Sequence, residues 1–263
     1  MANEVKKKEE SNVVAFDPSI LLEDVGAGTE GFTKEDVLMP RLSILQQMSP
    51  QTNKREGDYV EGAEAGHIFD NVAKKVYDGE KGITVVPISY KRNHIEWKPD
   101  RGGKVAEHGA SSDCLASCSR GDKGQYITAE GNEIVPTGEY YIYVIDEVGN
   151  HFPAMLSMSS SQMKKAKQWN AMISRLMIDI NGKKQNPAMF WTAYKLTTVP
   201  ESNDQGSWFG WSISMLYDAQ SGGIIQNLEN GKNIYLEARA FRKDVAEGNV
   251  NVAPESVADD DVM

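Results

Sequence analysis

The sequence predicts an α+β fold, mainly β: an OB-like small barrel with inserted helices. Three observations lead there. About seven runs have the β-branched and aromatic content or the alternation of strands. Two longer runs keep a helical period. Clusters of Gly, Ser and Asn punctuate them in an α+β order with no internal repeat. The chain has 263 residues, 40% hydrophobic and 25% charged, enough for one large core.

Residues 1–35 are polar, hold Gly26, Gly28 and Gly31, and read as a flexible arm. Asp36 can cap a short helix with Leu38, Leu42 and Leu45 on one side, Pro40 in its first turn and Ser49-Pro50 as its stop. Strands are expected at Ile68-Phe69, Ile83–Lys91, Ile95–Lys98 and Glu139–Asp146, then at His151–Ser157 after the Gly149-Asn150 turn. Arg101–Gly124, rich in Gly, Ser and charge, reads as a long surface loop. A helix capped by Ser159, Ser160 or Ser161 carries Met163, Ala166, Trp169, Ile173, Met177 and Ile180 on its period, with Gly182 after it. Ala188–Val199 and Trp208–Tyr217 are further strands, and Gly231–Ala246 a last helix with Ile234, Ala238, Phe241 and Val245 on one stripe. The division is then 1–35 arm, 36–243 OB-like core, and 244–263 disordered acidic tail.

Composition narrows the function classes. No apolar run approaches the roughly twenty residues of a membrane helix, and none follows the N-terminal lysines as in a secretory signal. Cys114 and Cys118 are too few for a disulfide framework and suit a reducing compartment, so a cytoplasmic protein is expected. There is no phosphate-binding glycine loop, no dinucleotide fingerprint, no His-Glu-x-x-His and no Gly-x-Ser-x-Gly, so the expectation is a non-enzyme with no cofactor and no metal. His94, His108, Cys114 and Cys118 lack the tight cysteine pairs of a structural zinc site.

The net charge of −10 argues against a nucleic-acid partner until its distribution is read. Lys91, Arg92, Lys98 and Arg101 cluster around Trp97, and Lys164, Lys165, Lys167, Lys183, Lys184 and Lys195 around Trp191 and Tyr194. Trp208 opens the run Trp208-Phe209-Gly210-Trp211, in which Gly210 could leave room for a base. Cations that follow phosphates, with rings that stack on any base, are what single-strand binding requires. The competing reading is ordinary core aromatics beneath solvated lysines. Lysines in the first turns of a helix also oppose its dipole, an arrangement that an external polyanion would relieve. Downstream, Glu255, Asp259, Asp260 and Asp261 precede Val262 and Met263: a polyanion with an apolar tip.

That tail after a strand-rich core resembles replication-type single-stranded DNA-binding proteins. Met39-Pro40-Arg41-Leu42, Gly66-His67-Ile68-Phe69 and Glu96-Trp97-Lys98-Pro99 look like tailed-phage proteins of that kind, over about residues 36–245. The resemblance implies an OB-like fold, a basic and aromatic groove, and recruitment of replication or recombination proteins through Asp259, Asp260, Asp261, Val262 and Met263. This tail ends in methionine where that class has phenylalanine. The expected ligand is single-stranded DNA in the host cytoplasm, with no membrane and with a homo-oligomer as an allowed state. The alternative is a non-enzymatic assembly or replisome accessory factor that binds protein. A metal-dependent nuclease is the third and weakest reading.

Overall fold

The computed structural model describes residues 18–33, 35–204, 206–218, 222–223 and 230–254. The chain divides between Val37 and Leu38 into two units. In the first, α1 (Pro18–Glu23) is followed by turns. Asp36 caps no helix there. Its carboxylate accepts from Thr33 N at 2.9 Å and Thr33 Oγ1 at 2.7 Å, which holds its pKa below the usual carboxylate range.

The second unit is mainly β. In chain order its strands are β1 (Arg41–Ile44), β2 (Ile68–Asp70), β3 (Lys75–Tyr77), β4 (Ile83–Trp97), β5 (Lys104–Glu107), β6 (Ser119–Arg120), β7 (Tyr126–Ile127), β8 (Glu133–Ile145) and β9 (His151–Ser159). Then come α2 (Met163–Arg175), β10 (Ile178–Ile180), β11 (Lys183–Gln185), β12 (Ala193–Asn203), β13 (Gly206–Asp218), β14 (Gly222–Gly223) and α3 (Gly231–Glu247). One twelve-stranded sheet runs β14-β13-β12-β4-β8-β9-β1-β2-β3, with β5 on β4 and β6-β7 on β8, while β10 and β11 pair separately. Among the described residues, only β1 and β9 pair in parallel within it.

The sheet curls until its two ends touch. Thr198 N on β12 donates to Gly79 O (2.9 Å), and Thr198 Oγ1 to Gly66 O (2.5 Å). The amide of Gln46 brackets Phe209 on β13, accepting from its N–H (2.9 Å) and donating to its C=O (3.0 Å). A side chain thus stands in for the neighbour that an edge strand lacks. Two residues on, Gln162 Oε1 accepts from Trp211 N at 2.9 Å, while its Nε2 donates to Glu201 and Ser161.

Alternation sorts β8 onto two cores. Tyr140, Ile142 and Val144 face the inside of the curl with Leu42, Ile68, Leu156, Leu196 and Trp211, and α2 plugs that space with Ala166 and Trp169. Tyr143 and Ile145 face outward, where α3 lays Ile234 and Ala238 over Val86 and Ile88. This is why β8 reads as an unbroken apolar run: both faces are covered. A bulge between Pro87 and Ser89 switches the parity of β4, so Val85 and Tyr90 both meet the inner core.

Several expectations change. The helix expected after Asp36 is β1, because Leu42 and Ile44 alternate inward between β2 and β9. The strands expected at 83–91 and 95–98 are one, β4, and the loop expected at 101–124 carries β5 and β6. The α2 helix stops at Arg175. Asn181 (φ 54°) and Gly182 (φ 78°) form the two-residue turn of the β10–β11 hairpin rather than the end of a longer helix. The segment set apart at 244 begins inside α3. Val245 is buried, Val252 bridges to Met39, and Ala253 is buried, whereas residues 255–263, with Asp259, Asp260, Asp261, Val262 and Met263, lie outside the described residues.

Candidate nucleic-acid interface

The cationic residues do not form one continuous groove. Lys91 turns to the outer face, where its Nζ donates to Val245 O at the end of α3 (3.0 Å) and lies 5.2 Å from the Tyr141 ring. Lys195 reaches Gly82 O (3.4 Å) at the start of β4, beside Lys75 and Lys81. Lys165 pairs with Glu201 at 2.6 Å. Lys98 is exposed, and Lys183 and Lys184 are exposed on β11.

Two of the expected aromatics belong to cores. Trp97 is 3% exposed, packed with Ile95 and Val135, and Tyr194 is 1% exposed against Trp169. Neither presents a ring face to a base. Gly210 leaves no room either, since a Cβ there would meet Glu201 Oε2 at 2.4 Å and Gln162 Nε2 at 2.7 Å. Trp208 is half-buried, with its Nε1–H donated to the same Glu201 (3.1 Å). Trp191 is half-buried and set edge-on to Tyr235, the ring centroids 6.0 Å apart.

Of the expected cations, Arg92, Lys167 and Arg101 do converge, and Lys123 joins them. Between β4, the start of β8 and the first turns of α2 lies a cleft of about 350 Å³. Arg92, Lys123 and Lys167 line it, with Tyr126, and Glu133 is the one carboxylate among its lining residues. Arg101 sits at its lip. Its guanidinium lies 3.8 Å from Glu133 and donates to Ser160 Oγ at 3.2 Å, so it offsets that single negative charge. Arg120 stacks on Tyr126, Cζ 3.6 Å from the ring centroid, and donates to Gly124 O. Arg92 Nε is buried with no acceptor among the described residues. The fold brings a charged donor to this wall and supplies it no partner, a departure from the usual rule.

The helix start adds to the positive potential. The α2 sequence, Met163 to Arg175, contains Lys164, Lys165, Lys167 and Arg175 and no Asp or Glu. The positive end of the helix dipole lies at the same end of α2 as Met163 and Lys167, which line the cleft, while Lys165 is paired with Glu201. Ser160 (φ 46°) and Arg101 (φ 54°), both left-handed without being glycine, meet at the lip. Such strain collects where a site needs a particular backbone path.

Lys123, Arg120 and Tyr126 were missed in the sequence. They come from the segment read as a loop, and only the β6–β7 pairing onto β8 delivers them. The cysteines take no part. Cys118 Sγ lies 3.4 Å from Cys114 O, His108 pairs with Glu96 at 2.8 Å, and no group of three His, Cys, Asp or Glu that could hold a metal ion occurs among the described residues. No helix among them is long and apolar enough to cross a membrane.

Fold and cleft together define a class: a mainly β chain with a curled sheet whose one helical plug presents cations to a cleft. The chain belongs to the Pam3 phage gp34-like protein family, whose profile matches residues 8–251, and is thus a phage protein. No curated protein and no solved structure matches it.

Proposed function

We propose that this phage protein binds single-stranded DNA, without sequence preference and without catalysing a reaction, in replication or recombination within the host cytoplasm. The observation that carries the reading is the cleft of Arg92, Lys123 and Lys167, with the ring of Tyr126 and a helix that has no carboxylate in its own sequence, on a chain of net charge −10. Random placement of charge on an acidic surface does not favour such a cluster, and its chemistry suits phosphate oxygens. An OB-type description of the curled sheet belongs with this proposal, since that architecture offers one sheet face and its loops to oligonucleotides. Asp259, Asp260, Asp261, Val262 and Met263 would then recruit replication or recombination proteins.

The assembly-factor reading draws support from the buried rings of Trp97 and Tyr194 and from the dispersal of Lys91, Lys183, Lys184 and Lys195. Fluorescence anisotropy separates the two. A 5′-labelled oligothymidine and a labelled hairpin duplex are titrated with the protein in low salt. Saturable binding that favours the single strand is expected, and binding to neither would sink the DNA reading.

A further inference from the structure

We infer that a second, aromatic cleft at the far end of α2 receives an unstacked base of the strand held in the basic cleft, so that α2 sets the distance between the two contacts. The inference rests on the DNA reading and extends it to a site and a footprint.

The second cleft, of about 530 Å³, is lined by Trp191, Tyr217 and Tyr235 together with Ile178, Ile180 and Pro187. Its volume falls in the range of pockets that enclose small planar ligands. Asp179 and Asn181 also line it and bring hydrogen-bonding groups. Asn181 holds a left-handed backbone (φ 54°). The Arg239 guanidinium lies 5.4 Å from the Tyr235 centroid, Lys183 and Lys184 are exposed on the β10–β11 hairpin, and Asp179 is the one charged residue of the lining. Walls built from three rings, with polar groups among the lining and Arg239 against one of the rings, match a nucleobase better than an aliphatic peptide side chain.

The helix connects the clefts. Lys167 lines the basic one, and the chain leaves α2 at Arg175 to enter β10, whose Ile178 lines the aromatic one. Lys167 to Arg175 is eight residues, or about 12 Å at the ~1.5 Å rise of a helix. Lys164, Lys167, Gln168, Ser174 and Arg175 are all exposed, and no acid interrupts them. Positions 164, 168, 171 and 175 fall on one side by helical spacing. A backbone running along that side passes only neutral or positive groups. At the ~3.4 Å spacing of a stacked strand the path takes about four nucleotides, so both contacts together need a longer oligonucleotide.

The test is a length series. Oligothymidines of four and twelve residues are titrated against wild type, Arg92→Ala, Trp191→Leu and Tyr235→Leu. The two aromatic variants are expected to lose about tenfold in affinity for the twelve-mer. They should bind the four-mer as wild type does, while Arg92→Ala weakens both. Aromatic variants that match wild type on the twelve-mer overturn the inference and leave the DNA reading standing. Wild type that binds neither oligonucleotide overturns both. Should the leucine variants misfold, Trp191→Phe keeps a ring in place. The share of fluorescence quenching by the twelve-mer that disappears in it belongs to Trp191, and no lost share overturns the inference.

Discussion

Trp97 stands between Arg92 and Lys98 in the sequence, and from neighbours alone its ring reads as a stacking platform. Strand parity decides otherwise, because Ile95 and Trp97 share the face of β4 that packs on Val135 of β8. Charge clusters were legible; which face of a strand they share with a ring was not, since that depends on a register set by a distant partner strand. Trp97→Ala is accordingly expected to cost about 3–5 kcal/mol in chemical denaturation and to leave oligonucleotide affinity of the folded protein unchanged. A stable variant with weakened binding would restore the ring to the interface. Glu139 gives a second test at this scale. Burial on β8 raises its pKa above the usual carboxylate range, Glu107 adds to the rise, and Arg41, Asn93 and Lys91 offset it in part. A raised folded pKa means that the native state binds the proton more tightly than the unfolded chain. The ionised carboxylate therefore lowers stability at neutral pH, and the penalty fades as pH falls through the folded pKa. Glu139→Gln should raise the denaturation midpoint at pH 7, and by less at pH 5. An equal gain at both values, or a loss at pH 7, would contradict this account.

Among the elements, β9, β13 and α3 were legible because each carries a period or an apolar run that its own residues complete, β8 only from Glu139 on, and β12 only from Ala193, since Met189–Trp191 form a short 3-10 turn. β1 was misread as a helix. Leu38, Leu42 and Leu45 fit a helical period while Leu42 and Ile44 alternate, and over so short a run only pairing with β2 and β9 selects the strand. The Asn181-Gly182 turn was visible as a dipeptide but was absorbed into a helical pattern that extends to Ile180. Closure of the curl was invisible in the sequence, because it rests on backbone contact between segments far apart. A Cβ at Gly79 would stand 1.8 Å from Gly66 O and 2.2 Å from Thr198 Oγ1, the two groups that join the sheet's ends. Gly79→Ala should therefore cost at least about 1–3 kcal/mol, the range of overpacked sites, and lower the melting temperature. Wild-type stability in that variant would mean that the two ends are not joined there.

At the scale of the whole molecule, an acidic chain carries a helix without a carboxylate, α2, and turns its start toward a cationic cleft. The sequence announced that helix through Lys164, Lys165 and Lys167. It did not announce that Arg92 and Lys123, far apart along the chain, would meet Lys167. Glu255–Met263 bear four acidic side chains and no base, and a linked polyanion competes with DNA at high effective concentration. Deleting those residues should tighten oligonucleotide binding, most at low salt where exposed charges are least screened. Equal affinities for full-length and truncated protein at two salt concentrations would remove the tail from the account. The most direct test of the central claim is the salt slope of oligothymidine affinity for wild type against Arg92→Ala/Lys167→Ala. Each phosphate neutralised contributes roughly 0.7 log units of affinity per log unit of salt. The double variant should bind more weakly and with a slope shallower by about 0.7 to 1.4, for one or two phosphate contacts removed. Affinity independent of salt in wild type, or an unchanged slope in the variant, would contradict the claim that this cleft holds the strand.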